Sequence, residues 1–231
     1  MFERTGPIDT GGRVRRPRPG LTTGAVVSAG RRVIERDGLD GLTMRAVATE
    51  LSTAPTSLYR HVADREALLL AILEQIAAGL PVEVPGDTPY ARLLRRLLDA
   101  HDYMADHVWV LHILIRGELV AETALAFNDA CLADFLAAGL GPGEAMAAFR
   151  TCWHLTQGEL LNQYPLQPPR EPSQRCLAFA AVDPRRLPAL AACLAHTPGP
   201  HAPRDEFPHA LATLLTALLP PAPPPGQPRV R

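Results

Sequence analysis

The sequence predicts an all-α protein in which three short N-terminal helices are followed by a connecting helix and a larger helical bundle. Three observations support this fold class. Apolar residues recur with a period near 3.6 through most of residues 21–219. No segment in that range shows the alternation of apolar and polar residues that is typical of β-strands. Prolines and glycines fall between the periodic segments, where helices have to end.

The two ends of the chain differ in composition from the part between them. Residues 1–20 are rich in Gly and Pro and carry a cluster of arginines, so we predict a disordered Arg-rich arm. Residues 220–231 contain six prolines and are predicted to form a disordered Pro-rich tail. The folded part is therefore expected over residues 21–219.

The first helix is predicted over Thr23–Arg36, with one apolar stripe that includes Val26 and Val33. Thr22 can cap its N-terminus, because a Thr hydroxyl accepts from the free N–H groups of the first turn. Gly38 is placed to end the helix, since glycine tolerates the left-handed backbone of a C-terminal cap.

The next three helices have separate start signals. The second is predicted over Met44–Leu51 with Thr43 as its cap, and the third opens with Pro55, a residue favoured at the first helical position. The break at Ser52–Ala54 between them gives a helix-turn-helix in outline. A connecting helix is predicted from Asp64, as its cap, to Ala78.

The larger bundle is predicted to contain six further helices, separated by loops that are rich in Pro or Gly. A loop with four prolines is expected over Pro165–Pro172. The predicted helices are Pro89–His107, Val110–Ile115, Glu122–Ala138, Gly143–Tyr164, Pro184–His196 after an Asp183 cap, and the last helix from an Asp205 cap to Leu219.

Composition excludes several kinds of catalysis. All 23 basic residues are Arg, so chemistry that needs a Lys amine, such as a P-loop or a Schiff base, is excluded. None of the four serines lies in a G-x-S-x-G elbow, which argues against a serine hydrolase of that type. No catalytic residue is predicted.

The cysteines and the hydropathy pattern indicate a cytoplasmic protein. The four cysteines form no C-x-x-C pair, and we expect four buried, reduced thiols: Cys131, Cys152, Cys176 and Cys193. No apolar run reaches the ~18 residues that would span a bilayer. We predict a cytoplasmic location, no metal site, no cofactor and no membrane partner.

Residues 42–69 read LTMRAVATELSTAPTSLYRHVADREALL. The ordered set L-T-x-R-x-V-A, L-Y-R-H-V and D-R-E-A-L-L resembles the helix-turn-helix domain of the tetracycline-repressor (TetR) family. The sequence likeness is close over about 50 residues. Beyond residue 88 only the order of the helices and the two long apolar helices near the end resemble the family. Two positions depart from the family pattern. Ser52 stands where Gly is usual and costs ~1 kcal/mol of strain, and Ala54 is a weak cap for which Thr53 can substitute.

The resemblance implies which side chains meet a double-stranded DNA operator. We expect Leu58 and Val62 to pack inward, which leaves the rest of the third helix toward DNA. Residues at family positions that grip phosphates are Thr43, Tyr59, His61 and Arg65. Residues at positions that can meet base edges are Arg45, Thr56, Ser57 and Arg60. Arg45 is the strongest candidate for a bidentate guanine contact. Residues 1–66 carry a net charge of +3, which favours DNA binding by this end of the chain. The Arg-rich arm either contacts DNA phosphates or an adjacent minor groove, or it stays in solvent without contacting DNA.

The family resemblance also implies an inducer pocket in the large domain and a homodimer. Candidates for the pocket are polar or aromatic residues on otherwise apolar helices, although each alone more often occupies a core position. They are His101, Met104, Trp109, His112, Phe127, Phe149, Trp153 and Gln157. Such a pocket suits a small, mostly apolar molecule. The helix over residues 143–164 and the last helix are expected to meet their two-fold mates.

These patterns together predict a ligand-responsive transcriptional regulator, most often a repressor in this family, that binds a palindromic operator. The predicted division is an arm (1–20), a helix-turn-helix DNA-binding domain (21–66), a connector (67–86), a ligand-binding and dimerisation domain (87–219) and a tail (220–231). One alternative is a small-molecule sensor or carrier without operator binding. Another is a metal-dependent enzyme, prompted by the histidines at positions 101, 107 and 112, whose spacing suits a helical metal site poorly. The inducer, the operator, the regulated genes and the sign of regulation do not follow from the sequence.

Overall fold

Eleven α-helices form the part of the chain that the computed structural model describes, which is residues 21–115, 119–164, 174–196 and 206–221. They are α1 (Thr23–Asp37), α2 (Met44–Glu50), α3 (Pro55–Leu58), α4 (Arg65–Ala77), α5 (Pro89–Ala105), α6 (Trp109–Leu114), α7 (Ala124–Ala137), α8 (Pro142–Gln163), α9 (Gln174–Ala180), α10 (Pro188–Leu194) and α11 (Glu206–Leu218). A 3-10 turn, Leu39–Gly41, joins α1 to α2. No strand occurs within these ranges, which confirms the predicted fold class.

The start signals of the N-terminal helices are confirmed. The cap side chains accept a hydrogen bond from the first turn at three helix starts: Thr22 from Ala25, Thr43 from Ala46 and Asp64 from Ala67. Gly38 follows α1 with φ 77°, a left-handed value that glycine adopts without strain. The predicted Asp205 cap, the loop at 165–172, the arm and residues 222–231 lie outside the described residues.

One apolar core joins α1 to α4 with α6 and the end of α5. Val26, Val33 and Leu58 are fully buried in it. Gly30 allows α1 and α4 to approach closely, because a Cβ there would lie 2.9 Å from the Ile72 side chain. The three N-terminal helices and the connecting helix α4 therefore share a core.

A second apolar core lies between α5, α7, α8 and α11. Its fully buried side chains include Leu97, Phe135, Leu211 and Leu215. Helix α8 packs along α7 and also contacts α11. No described helix is long and apolar enough to cross a membrane.

Three expectations fail in the C-terminal half. The helix predicted from Pro184 begins at Pro188, because Asp183 Oδ1 accepts a hydrogen bond from the Arg185 amide and forms a turn. Helix α9 was not predicted. Of the four cysteines only Cys131 and Cys152 are buried, and Cys193 is exposed.

Candidate DNA-binding surface and ligand cavity

The helix-turn-helix is set by a tight turn between α2 and α3. Ser52 takes the left-handed backbone there, with φ 50°, as the family pattern predicts for this position. Ala54 caps α3 without any side-chain hydrogen bond, so the cap is weak, as expected. Leu58 and Val62 are buried against the core, which fixes the orientation of α3.

The outer face of α3 and its C-terminal turn carries the predicted DNA contacts. Thr56, Tyr59 and Arg60 are exposed, and Tyr59 keeps 53% of its surface accessible. Ser57 and His61 are half-buried on the same turn. The structure therefore brings these five residues together on one polar, solvent-facing surface.

Helix α2 adds two exposed residues to that surface. The Thr43 hydroxyl accepts from the Ala46 amide at 3.1 Å and keeps its own hydrogen for a further acceptor. Arg45 is exposed, and its guanidinium forms no ion pair with a described residue. An unpaired guanidinium presents five donors in the planar geometry that suits guanine edges and phosphates.

Arg65 has a structural function in addition to its predicted phosphate contact. Its Nε donates to the Leu42 carbonyl at 2.7 Å and its Nη2 to the Leu39 carbonyl at 3.0 Å. These bonds fasten the start of α4 to the chain segment that leads into α2. Only the remaining Arg65 donors are left for DNA.

Sequence reasoning missed an ion-pair network that orients α2. Glu50 at the end of α2 accepts from Arg32 at 2.9 Å and from Arg36 at 2.8 Å, both on α1. These partners lower the pKa of the Glu50 carboxyl, with the Arg36 hydrogen bond as the largest cause. Asp37 also pairs with Arg36 at 2.9 Å, so two carboxylates offset the charges of the two arginines. Arg45 and Arg60 form no ion pair with a described residue.

A cavity of about 490 Å³ lies between the connecting helix and the larger bundle. The residues that line it are mostly apolar: Leu73, Ile76, Ala77, Leu80, Met104, Val110, Leu114, Ile115, Val120, Ala121, Ala124, Phe127, Asn128, Trp153, His154 and Gln157. None of them is Arg, Asp or Glu. The rings of Phe127 and Trp153 meet at 5.9 Å and 58°, so one wall is aromatic. Asn128, His154 and Gln157 supply the hydrogen-bonding groups.

Four of the eight predicted pocket residues line this cavity: Met104, Phe127, Trp153 and Gln157. The other four lie elsewhere. His101 is buried with its ring stacked on Phe207 at 4.2 Å, and Phe149 is buried in the second core. Trp109 is buried in the first core, and His112 is exposed.

The prediction missed two polar residues of the cavity, Asn128 and His154. Both had a sequence signal, since each directly follows an aromatic residue that was predicted for the pocket: Asn128 follows Phe127, and His154 follows Trp153. It also missed the contribution of α4, whose Leu73, Ile76 and Ala77 form one wall. In the sequence these three apolar residues look the same as core residues of a helix, so nothing marks them as lining a cavity.

Helices α8 and α11 pack against each other and expose a face of small side chains. Ala147 and Thr151 on α8 are exposed, as are Ala210, Thr213 and Ala217 on α11. Small side chains let a second pair of helices approach closely. The face is available for the helix pairing that the sequence predicts.

No group of three potential metal ligands occurs in the described ranges. His101 and His107 are buried on α5 and just beyond it, whereas His112 faces solvent. The histidines that prompted the enzyme alternative therefore do not converge.

The fold and these surfaces define a helix-turn-helix protein with an all-helical second part that contains an apolar cavity. A family profile described as bacterial regulatory proteins, tetR family, matches residues 26–72. A helix-turn-helix transcriptional regulator of Saccharopolyspora erythraea is 31% identical over 135 residues, which cover 58% of this chain and 57% of the relative. The repressor DrrR1 of Streptomyces coeruleorubidus is 44% identical over 80 residues, which cover 34% of this chain and 29% of the relative.

The likeness extends to a solved structure over most of the chain. A protein described as a possible TetR family transcriptional regulator, from Streptomyces coelicolor A3(2), superposes with a TM-score of 0.70 at 25% identity. The match covers 85% of this chain and 98% of that protein. Residues 26–72 are thus a tetR-family helix-turn-helix domain, and the chain resembles TetR family transcriptional regulators beyond that domain.

Proposed function

We propose that this protein is a ligand-responsive repressor, which binds a palindromic DNA operator as a homodimer and leaves it when a small, mostly apolar molecule fills the cavity. One observation carries the proposal. Helix α4 shares a core with the helix-turn-helix and also forms one wall of the cavity. A molecule in the cavity therefore contacts the element that positions the DNA-binding helices.

The DNA part of the proposal rests on the surface of α2 and α3. Its exposed hydroxyl, phenol and guanidinium groups suit phosphate and base-edge contacts, and a short helix fits a major groove about 12 Å wide. Arg45 and Thr56 are proposed for base edges, whereas Thr43 and Tyr59 are proposed for phosphates. A protein that binds DNA in this way acts in the cytoplasm.

The dimer part rests on the small-residue face of α8 and α11. Two copies that pair through this face would form a four-helix interface around a two-fold axis. Such a dimer places two recognition helices about 34 Å apart, one turn of DNA, when it binds a palindrome.

The ligand part rests on the lining of the cavity. A volume of about 490 Å³ accommodates a drug-sized molecule. The Phe127 and Trp153 rings favour an aromatic ligand. Asn128 and Gln157 can fix one polar edge, and the lack of an Arg, Asp or Glu side chain among the lining residues favours a ligand without formal charge.

Footprinting of the DNA that flanks the protein's own gene, across a salt series, tests operator binding. We expect one palindromic footprint of two half-sites that weakens steeply as salt rises, because phosphate contacts release counterions. A protein that protects no fragment in a genome-wide selection would instead be a sensor or carrier without operator binding.

A neutral fluorescent probe, N-phenyl-1-naphthylamine, tests the cavity. We expect saturable binding to the wild type and loss of binding in Ala124→Trp, whose indole would fill the cavity. Ala126→Trp is the matched control, because Ala126 is exposed on the same helix and lines no cavity. Equal binding by both variants would place the probe elsewhere.

A further inference from the structure

The carboxylate of Glu74 joins the connecting helix α4 to the larger bundle by hydrogen bonds. Glu74 Oε1 accepts from the Glu122 amide at 2.6 Å, and Oε2 accepts from the Thr123 amide at 3.0 Å and from the Thr123 hydroxyl. Thr123 is the cap residue of α7, and its own side chain caps no amide of that helix. The amides at this end of α7 are thus bound by a side chain 48 residues away.

This contact lies beside the cavity. On α4, the neighbour of Glu74 is Leu73, and on α7 the neighbour of Thr123 is Ala124; both neighbours line the cavity. Glu74 itself does not line it. We therefore expect a molecule that moves Leu73 away from Ala124 to lengthen the bonds between Glu74 and Thr123.

A second tether holds the same half of α4 to α5. The Tyr103 hydroxyl donates to the Ile76 carbonyl at 2.8 Å. Gly79 makes this approach feasible, because a Cβ there would lie 2.3 Å from the Tyr103 oxygen. Glu74 and Tyr103 therefore fasten α4 to two different helices of the bundle.

The other end of α4 is fixed to the DNA-binding helices. Arg65 binds the Leu39 and Leu42 carbonyls, and Ile72 packs against Gly30 of α1. A displacement of α4 at Glu74 is thus carried to the helix-turn-helix.

We propose that Glu74 is a positioning residue for the response to ligand: its carboxylate, bound to the two amides that precede α7, holds α4 in the operator-binding orientation until the cavity is filled. This inference rests on the proposed function. The low pKa of the Glu74 carboxyl, caused first by the Thr123 hydroxyl and then by the backbone amides, agrees with a charged group at this position. A protonated or amidated side chain accepts fewer of these bonds.

The test compares Glu74→Gln with Glu122→Gln. Glu122 is the matched control, because its side chain is exposed, it lies next to the contact, and only its backbone amide is used. Operator affinity is measured on full-length protein without ligand and with saturating N-phenyl-1-naphthylamine. Thr123→Val, which keeps the backbone amide and loses only the hydroxyl, is measured in parallel, and thermal unfolding shows that each variant is folded.

We expect the probe to weaken operator binding by the wild type and by Glu122→Gln by about tenfold. Glu74→Gln should bind the operator about fivefold more weakly without the probe, and the probe should then change its affinity by less than about twofold. Thr123→Val should lie between these extremes. Without DNA, Glu74→Gln should bind the probe about fivefold more tightly than the wild type, because the probe no longer has to break the Glu74 bonds. Glu122→Gln should bind the probe as the wild type does.

Two results overturn the inference, and they differ. A Glu74→Gln protein with the operator affinity and probe response of the wild type would show that Glu74 only stabilises α7. A wild-type protein that binds the probe and the operator without mutual effect would refute the proposed function itself, and the inference with it.

Discussion

Arg96 and Asp134 form a buried ion pair between α5 and α7, with Arg96 Nη1 2.5 Å from Asp134 Oδ2. The side chains are 5% and 7% exposed. Arg92 pairs with the other carboxylate oxygen at 2.6 Å, and Arg96 also donates to the Val82 carbonyl. One carboxylate therefore serves two arginines in the core of the large domain.

Loss of this carboxylate should be costly, because the Arg96 charge would remain buried without a partner. We expect Asp134→Ala to lower the free energy of unfolding by about 3 kcal/mol. Asp99→Ala is the control: its partner Arg95 is 60% exposed, and loss of such a surface pair should change stability by less than about 1 kcal/mol. Urea unfolding followed by circular dichroism measures both. Equal effects would show that the pair is not a buried anchor.

Replacing Ser52 by glycine should make the folded protein more stable. A non-glycine residue with φ 50° is strained by roughly 1 kcal/mol, which glycine relieves at some cost in unfolded-state entropy. We expect Ser52→Gly to raise the free energy of unfolding by about 0.5 kcal/mol. Ser57→Gly, inside α3, should instead lower it by about the same amount. The prediction fails if Ser52→Gly is the destabilised variant in thermal melts.

Arg45 and Tyr59 should affect operator binding in different ways. Arg45→Ala is expected to lose about 1–3 kcal/mol of discrimination at one base pair of each half-site. Tyr59→Phe, which removes only a proposed phosphate contact, should weaken all operators by a similar factor. Affinities for a set of single-base operator variants distinguish the two. Uniform weakening by Arg45→Ala would move Arg45 to the phosphate contacts.

His107 should make the protein less stable in mild acid. The ring is buried next to Tyr103, and its pKa is lowered first by burial and then by the Arg31 charge; Asp106 and Glu35 oppose this. Because the unfolded chain takes up a proton more readily, stability is full above about pH 6.5 and falls as pH drops below it. His107→Gln should remove part of this fall between about pH 7 and 5. His112→Gln, at an exposed position, is the control, and an unchanged profile in His107→Gln would refute the assignment.

The buried thiols should be inert in the folded protein. Burial raises the pKa of Cys131 and of Cys152 to about 12, so neither forms a reactive thiolate near neutral pH. A Cys176→Ser/Cys193→Ser variant should therefore not react with a disulfide reagent at about pH 8 until guanidinium unfolds it. Rapid reaction of the folded variant would show that the core opens locally.

The helix-turn-helix could be predicted closely because its signals are local. A cap such as Thr43 acts within three residues of itself, and the inward pair Leu58 and Val62 follows from the helical period alone. The left-handed position at Ser52 was predicted from the family resemblance, in which glycine is usual at this turn.

The cavity could be predicted only in part. His101 and Met104 lie three residues apart on α5, about 60° apart around the helix, yet Met104 lines the cavity and His101 stacks on Phe207. Trp153 and Phe149 separate in a similar way on α8. Residues one turn apart on the same helix can therefore lie on different sides of the boundary between the cavity and the second core. Which residue lies on which side depends on how each helix is rotated about its own axis.

The sequence by itself determined the starts of α1, α2 and α4 and the residues of α3 that pack inward, because capping and periodicity act between residues close in the chain. Only the tertiary structure decided that Glu74 binds the start of α7, that Asp134 pairs with Arg96, and that α4 forms a wall of the cavity. The paired residues are 48 and 38 positions apart. Contacts at that separation depend on how the helices pack against one another, which no local pattern encodes.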